Sequence, residues 1–176
     1  MTDLILVNAN DEAIGFMEKM EVHQKGLLHR AFSIFIFNSK GEMLLQQRAD
    51  NKYHSAGLWT NACCSHPQAS DTNIEAAVVR RLHEEMGFTT KLTRAFTFTY
   101  KTEFDNGLTE HELDHVYTGM YDGDIHPDAR EVKDYCFMTF EAIRDAITSH
   151  PQKYTSWFKI AFPKLEEYLA AGNSSA

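Results

Sequence analysis

Residues 70–88 have the sequence SDTNIEAAVVRRLHEEMGF, which predicts one well-marked α-helix in the middle of the chain. Thr72 and Glu75 have the spacing of a capping box, and Gly87 suits the left-handed position after the last helical turn. Strand-like segments precede and follow this helix. We therefore expect a layered domain in which this helix packs against a sheet, with strands from before and after the helix in the sequence.

One face of this helix carries charge where apolar residues would be expected. Ile74, Val78, Arg81 and Glu85 follow one another at intervals of four, three and four residues, so they share a face that Ile74 and Val78 mark as inward. One interpretation is an ion pair within the helix at the edge of the core. The other is that Glu85 binds a metal and Arg81 points at an anion. Buried charges of this kind require a counter-charge in either case.

Two regions predict strand pairs. Residues 29–49 (HRAFSIFIFNSKGEMLLQQRA) contain two apolar segments around a turn at 38–41, and residues 94–121 contain two alternating segments around a turn at 105–107. Residues 139–150 and 156–172 have helical patterns, and Pro163 should kink or split the second helix. We predict one α+β domain over residues 1–176, an α/β/α sandwich with mixed or antiparallel sheets, flanking helices and a frayed tail at 170–176.

Composition narrows the class of protein. The chain has 176 residues, a hydrophobic fraction of 43% and a formal net charge of -8, which argues against a nucleic-acid or membrane-surface protein. A locally basic pocket for an anionic small molecule remains compatible with that charge. Three cysteines are too few for a disulfide framework, and the first residues lack the pattern of a signal peptide, so we expect a reducing cytoplasm.

The segment TEHELDHV places two carboxylates on one face of a predicted strand. Glu110 and Glu112 are two residues apart and point the same way, which a solvated edge strand would also explain. His23, His29 and His66 could complete a mixed nitrogen and oxygen site. Such a site suits zinc, manganese or iron, which the ligand types do not separate.

The segment WTNACCSHP at 59–67 places two thiols beside an imidazole. In an extended strand Cys64 and His66 share a face and Cys63 points away, so Cys63, like Cys136, suits the role of a small buried apolar residue. No second half at zinc-finger spacing accompanies this segment. If His66 binds a metal, Cys64 becomes a candidate acid or nucleophile.

Together these segments resemble the type 1 isopentenyl-diphosphate Δ-isomerases of the Nudix superfamily, over roughly the whole chain. The resemblance runs through EKMEVHQKGLLHRAF, QQRADNKYHSAGLWTNACCSHPQ, RRLHEEMGF, YKTEFDNGLTEHELDHVY and YTSWF. The helix is similar to a Nudix box in which His66 replaces the first glycine, Thr72 the first glutamate and Arg81 the second. Hydrolytic members use such carboxylates on their metals, so these replacements weaken the case for pyrophosphate hydrolysis.

The resemblance implies an isomerase that interconverts isopentenyl and dimethylallyl diphosphate in isoprenoid precursor synthesis. Cys64 and Glu112 would be the acid-base pair acting through a carbocation-like intermediate, with Tyr100 assisting. One Mn²⁺ or Zn²⁺ ion would be held by five ligands, namely His23, His29, His66, Glu110 and Glu112. His23 and His29 are six residues apart here, whereas some bacterial members have seven.

The resemblance also implies how the substrate binds. Glu85 would hold a Mg²⁺ ion that also binds the diphosphate. Trp157 would close over the hydrocarbon end. Four basic side chains would contact the diphosphate, namely Lys19, Arg48, Lys52 and Arg81.

Two other functions compete with this interpretation. The first is a Nudix hydrolase of a nucleoside diphosphate derivative, and the second is a non-catalytic binding module that a structural zinc ion stabilises. For the isomerase, the expected partner is a small prenyl diphosphate, with neither nucleic acid nor membrane, and the expected state is a monomer or weak homodimer.

Overall fold

The computed structural model describes residues 3–172, which form nine strands and four α-helices. The strands are β1 (Asp3–Val7), β2 (Ala13–Glu18), β3 (His29–Phe37), β4 (Met43–Arg48), β5 (Trp59–Asn61), β6 (Cys63–Ser65), β7 (Leu92–Glu103), β8 (Thr109–Met120) and β9 (Val132–Met138). The helices are α1 (Lys19–Lys25), α2 (Ile74–Met86), α3 (Phe140–Ser149) and α4 (Ser156–Ala170), with a 3₁₀ turn at Pro151–Lys153.

Strand β3 lies at the centre of a mixed sheet. It runs parallel to β8 in register from His29 opposite Glu112 to Phe37 opposite Met120, and antiparallel to β6. Strands β7 and β8 form the predicted antiparallel hairpin around Gly107. The predicted turn after β3 is also present, but β3 and β4 pair only at Phe37 and Met43 before they diverge. β4 then pairs with β5 and β9.

Helices cover the sheet on both sides. One apolar cluster packs α2, through residues such as Val78 and Leu82, against Ile34 of β3. The other packs α3 and α4, through residues such as Ile143 and Phe158, against the opposite face of the sheet. The predicted α+β sandwich with a mixed sheet and flanking helices is confirmed. Among residues 3–172, no helix has the length and apolar character needed to cross a membrane.

One local prediction about the helix ends was wrong. α2 begins after Asn73, whose side-chain oxygen accepts the Ala76 N–H at 2.8 Å, and not through a Thr72–Glu75 capping box. Glu75 is drawn away from the helix end because its carboxylate binds Arg94 and the Tyr117 hydroxyl.

Of the two outcomes predicted for Pro163, a split of the last helix does not occur, because α4 is continuous through this residue. Proline removes one backbone hydrogen bond, but α4 buries Phe158, Phe162 and Leu165 in the core, and this packing offsets the loss. The predicted tail overlaps α4 at Ala170, and residues 173–176 lie outside the described part of the chain.

The end of α2 is as predicted. Gly87 has a φ of 77°, and a side chain there would place its Cβ 2.4 Å from the carbonyl oxygen of His126. Only glycine fits both the backbone conformation and this close approach. The stop of α2 at this point fixes its last turn, which carries Glu85, over the sheet.

Candidate active site and metal centre

The first candidate cluster forms where β3 and β8 begin side by side. Their parallel register places His29 directly opposite Glu112, and Glu110 is two residues earlier on the same face of β8. α1 ends at Gly26, which has a φ of 65°, and this turn brings His23 back toward the start of β3. His66 follows β6, which pairs with β3 on its other side.

The structure brings together all five residues proposed as ligands of one ion. One potential ligand atom from each lies within 4.8 Å of the others, and all five side chains are largely buried. His66 Nε2 is 2.6 Å from Glu112 Oε2, His29 Nε2 is 3.3 Å from the same oxygen, and His23 Nε2 contacts Glu110 Oε1. We call this set the histidine–carboxylate cluster.

The Nδ1–H groups of His23 and His29 point away from the carboxylates of this cluster. His23 Nδ1 is 2.7 Å from the Lys19 carbonyl oxygen and His29 Nδ1 is 2.9 Å from that of Leu27. Because a carbonyl oxygen only accepts, each Nδ1 carries a proton, and a neutral ring then presents the lone pair of its Nε2 to the carboxylates. Burial lowers the pKa of His29 to about 4, so its ring is neutral at pH 7.

The cluster therefore contains an excess of acceptors. Burial, together with His29, holds the pKa of His66 well below its usual value. Burial and the neighbouring Glu110 raise the pKa of Glu112, which favours its protonated form. This carboxyl group can therefore add one proton to the cluster. Imidazole nitrogens whose other N–H binds a backbone carbonyl are a common arrangement for metal ligands. The five side chains thus fit a divalent cation, which would supply the positive charge that they lack.

The Tyr100 hydroxyl adds a hydrogen-bond donor to the cluster. It is the cross-strand partner of Glu112, and its hydroxyl donates to Glu112 Oε1 at 2.5 Å. Burial and the Glu112 carboxyl raise the pKa of Tyr100 well above 10, so the phenol keeps its proton. This places Tyr100 beside the carboxyl of Glu112.

Cys64 lies on β6, which pairs with β3 as β8 does, and its sulfur faces the cavity. Trp157 Nε1–H donates to Sγ at 3.0 Å, and Sγ–H donates to Asn61 Oδ1 at 2.9 Å. Burial raises the pKa of Cys64 to about 12, so the side chain is a thiol at neutral pH. Cys63 is fully buried against α2, as predicted, and Cys136 is half-buried.

A second charged cluster lies where α2 passes the start of β9. Arg81 donates to Glu85 Oε2 at 2.5 Å and to Glu131 Oε1 at 2.7 Å, and Lys52 Nζ is 3.5 Å from Glu131. We call these four residues the arginine–carboxylate cluster. Burial raises the pKa of Glu85, while Gln46 donates to its other oxygen at 3.0 Å. Both interpretations of Glu85 and Arg81 agree with this arrangement, since they form an ion pair that also faces the cavity.

Both clusters contribute to one cavity of about 70 Å³. Arg48 lies over the Trp157 ring at 5.1 Å, and burial lowers the pKa of Lys19. The cavity is lined by ten of the residues proposed from the sequence, namely Lys19, Arg48, Lys52, Cys64, His66, Arg81, Glu85, Glu110, Glu112 and Trp157. His23 and His29 are fully buried beneath them. No proposed residue lies away from the site.

The sequence interpretation missed four residues that line the cavity, namely Tyr53, His54, Ser65 and Glu131. The Tyr53 hydroxyl is 3.3 Å from His23 Nε2, and His54 Nε2 is 3.6 Å from Glu110 Oε1. Tyr53 and His54 directly follow Lys52, which is proposed to bind phosphate. This position beside a proposed site residue is the sequence signal that could have identified them. Glu131 had none, because it follows a loop far from every motif.

Comparisons with known proteins identify the fold and the family. The family model of the NUDIX domain matches residues 27–158. A crystal structure from Deinococcus radiodurans superposes with a TM-score of 0.77 at 17% identity, over 92% of this chain and 98% of that chain. A MutT protein from Methanosarcina mazei gives 0.66 at 19% identity, over 84% and 96%. The fold is that of a Nudix domain.

Sequence relatives define the family within that class. The isopentenyl-diphosphate Delta-isomerase of Pectobacterium atrosepticum is 47% identical over 99% of this chain and 97% of the relative. The protein of the same name from Serratia proteamaculans is 51% identical over 88% and 86%. The chain belongs to the isopentenyl-diphosphate Delta-isomerase family, as its motifs had indicated.

Proposed function

We propose that this protein interconverts isopentenyl diphosphate and dimethylallyl diphosphate, a step in isoprenoid precursor synthesis. Family membership supports an isomerase at near full length. The observation that carries the proposal for the site is the cavity itself. A neutral thiol, a carboxylate and four cationic side chains line one small space that is closed on one side by an indole ring.

The acid-base pair proposed here is Cys64 and Glu112. Moving a double bond by one position requires a proton to be added to one carbon and removed from another, which two separate groups accomplish best. Cys64 comes from β6 and Glu112 from β8, and both border the cavity from these different strands. The Tyr100 hydroxyl bonds to Glu112 and would hold its carboxyl in position during the transfer.

The carbocation-like state requires a dry and electron-rich pocket. Trp157 is almost fully buried, and its indole N–H is already engaged by Cys64, which fixes the ring. The Arg48 guanidinium lies over the ring at 5.1 Å, which supports a role for the π face of Trp157 beside positive charge. Trp157 would therefore cover the hydrocarbon end of the substrate.

The diphosphate would bind to the basic side chains of the cavity. Guanidinium and ammonium groups pair with phosphate oxygens, and Lys19, Arg48, Lys52 and Arg81 all line this cavity. Arg81 and Lys52 are paired with Glu131 here, so binding requires them to exchange that carboxylate for phosphate. We assign Glu85 to a Mg²⁺ ion shared with the diphosphate, because a carboxylate oxygen is the ligand that this hard ion prefers.

The histidine–carboxylate cluster would hold one Mn²⁺ or Zn²⁺ ion. Such a cation would keep the Glu112 carboxylate charged. The chain's own contribution is to hold the His23 and His29 rings by backbone carbonyls, and to place His66 through the pairing of β6 with β3. We also infer a cytoplasmic enzyme, as a monomer or weak homodimer, which agrees with three free thiols.

The test is to incubate the protein with Mg²⁺, Mn²⁺ and isopentenyl diphosphate in D₂O and follow the substrate by proton NMR. Dimethylallyl diphosphate should form with deuterium in its allylic and methyl positions. Cys64→Ala should abolish this, and Cys136→Ala, outside the cavity, should not. Unchanged substrate would overturn the proposal, and hydrolysis of a nucleoside diphosphate derivative that survives Cys64→Ala would identify the rival function.

A further inference from the structure

The direction of every proton near Cys64 can be followed from the surrounding donors. Asn61 donates through Nδ2 to the carbonyl oxygens of Ile34 at 2.9 Å and Cys63 at 3.0 Å. Because carbonyl oxygens only accept, these contacts fix which end of the amide faces Cys64. Asn61 Oδ1 therefore points at Sγ, 2.9 Å away, and accepts the thiol proton.

A chain of hydroxyls reaches the same oxygen from α4. The Thr155 side chain caps the helix by accepting the Phe158 N–H at 3.3 Å, which leaves its own proton for Thr60 Oγ1 at 3.1 Å. Thr60 must then direct its single proton elsewhere. It donates to Asn61 Oδ1 at 2.9 Å, and its oxygen is also 3.7 Å from Cys64 Sγ. Thr60, Asn61 and Thr155 are at most 1% exposed, so water does not complete these bonds.

The isomerisation proposed above changes what the sulfur needs. When the S–H bond breaks, the proton forms the new C–H bond with the substrate and the electron pair stays on Sγ. Asn61 Oδ1 then faces a negative sulfur to which it offers no proton. Trp157 Nε1–H remains as a donor, but Ser33, at 3.9 Å from Sγ, is bound to Asp114 at 2.8 Å. An unpaired charge in this buried place would be costly.

We propose that Thr60 is a positioning residue that stabilises the Cys64 thiolate by turning its hydroxyl proton from Asn61 Oδ1 to Cys64 Sγ, and back when the thiol re-forms. The turn is a rotation about one C–O bond and moves no heavy atom. Thr155 keeps the oxygen of Thr60 supplied with a donor throughout, so that the Thr60 proton is always free for one of the two acceptors. The inference rests on the proposed isomerase function and holds whichever of Cys64 and Glu112 acts first.

The experiment compares Thr60→Val with Thr118→Val in the full-length protein loaded with Mg²⁺ and Mn²⁺. Thr118 is the matched control, because it is fully buried on β8 and its hydroxyl has no hydrogen-bond partner among residues 3–172. Thr60→Val should lower kcat for isopentenyl diphosphate about tenfold, or about 1.4 kcal/mol of barrier, with KM unchanged. Thr118→Val should change neither, and Thr60→Ser should restore most of the kcat.

Infrared spectroscopy of the substrate-free protein gives a readout that a merely structural role would not move. Subtracting the spectrum of Cys64→Ala isolates the S–H stretching band of Cys64. In Thr60→Val, Asn61 Oδ1 accepts from the thiol alone, so that bond strengthens and the band moves to lower wavenumber. Thr60→Ser and Thr118→Val should leave the band in place.

The proposal fails if Thr60→Val keeps a wild-type kcat, or if the band does not move. If this variant does not fold, Thr60→Ala removes the same hydroxyl without adding a methyl beside Thr155, and the same two results are required of it. Failure of the Thr60 proposal can be distinguished from failure of the proposed isomerase function. If the isomerase function is wrong, the wild-type protein itself will leave isopentenyl diphosphate unchanged.

Discussion

The two charged clusters of the cavity differ in their balance of positive and negative charge. In the histidine–carboxylate cluster, imidazole Nε2 atoms face carboxylate oxygens, while the Nδ1–H groups of His23 and His29 point to backbone carbonyls. In the arginine–carboxylate cluster, each carboxylate already has a cationic partner within 3.5 Å. The first set is short of positive charge, and the second is neutralised by its own members.

This difference indicates what each cluster would do with a ligand. Acceptors that face one another in a buried place are stable only when a cation or a proton lies between them. Ion pairs, by contrast, must open before Arg81 or Lys52 can bind an anion. The identity of a missing partner can thus be inferred from which atoms hold the protons, even though the side chains of both clusters come from the same few residue types.

Removing metal should produce the largest effect. Dialysis against a chelator takes the cation from the histidine–carboxylate cluster, and isomerisation should fall to the background rate. Folding stability should drop by about 2.7 kcal/mol relative to protein held at a hundredfold excess of metal over its dissociation constant. Activity and thermal unfolding are measured before and after Mn²⁺ or Zn²⁺ is restored.

The chelated protein should stay folded at 25 °C, because two apolar clusters pack the sheet on both faces independently of the site. Loss of the circular dichroism of the folded state on chelation would contradict this and support the zinc-stabilised binding module. Loss of activity with the fold retained would exclude that module.

The arginine–carboxylate cluster should respond through binding. Lys52→Ala removes one cation without leaving a fully buried carboxylate alone, since Glu131 keeps Arg81. KM for isopentenyl diphosphate should rise about tenfold, equivalent to about 1.4 kcal/mol, with kcat nearly unchanged. Lys133→Ala is the control, because Lys133 is a half-exposed lysine that pairs with Asp50 outside the cavity. Equal effects of the two variants on KM would remove Lys52 from the binding site.

The smallest effect is expected outside both clusters, at Glu75. The Tyr117 hydroxyl and then Arg94 lower the pKa of this carboxylate below 4.5. Its contribution is therefore present above pH 4.5 and is lost as the pH falls through the lower folded value. Glu75→Gln should cost less than about 1 kcal/mol at pH 7, because the group is mostly exposed.

Urea unfolding of the wild type and Glu75→Gln at pH 7 and pH 3 would measure this difference. The two proteins should be closer in stability at pH 3. A difference that does not change with pH would mean that packing, and not the charge of Glu75, is responsible.

The sequence predicted the elements better than their partners. Alternation and turn residues placed β3, β4, β7 and β8, but not the parallel pairing of β3 with β8, since strand patterns carry no direction. The capping box at Thr72 was wrong because Glu75 has an ion-pair partner on β7. Pro163 was expected to kink or split α4 because local propensity does not include packing.

The site shows the same limit. The ligand types and spacings of His23, His66 and Glu110 were visible in the chain, and the resemblance supplied their grouping. Glu131 was not visible, because its significance arises only where β9 passes α2. The proton positions were also beyond the sequence, since they depend on which carbonyl oxygen each imidazole meets.

The parallel pairing of β3 and β8 has a consequence for the order of assembly. His29 and Glu112 are 83 residues apart in the chain, and the remaining ligands come from α1, from the residue after β6 and from β8. Closing such a long loop is slow and costs chain entropy before any contact repays it. The emerging chain would therefore offer an ion only scattered ligands, and we expect a cation of this cluster to bind late, to a nearly finished protein.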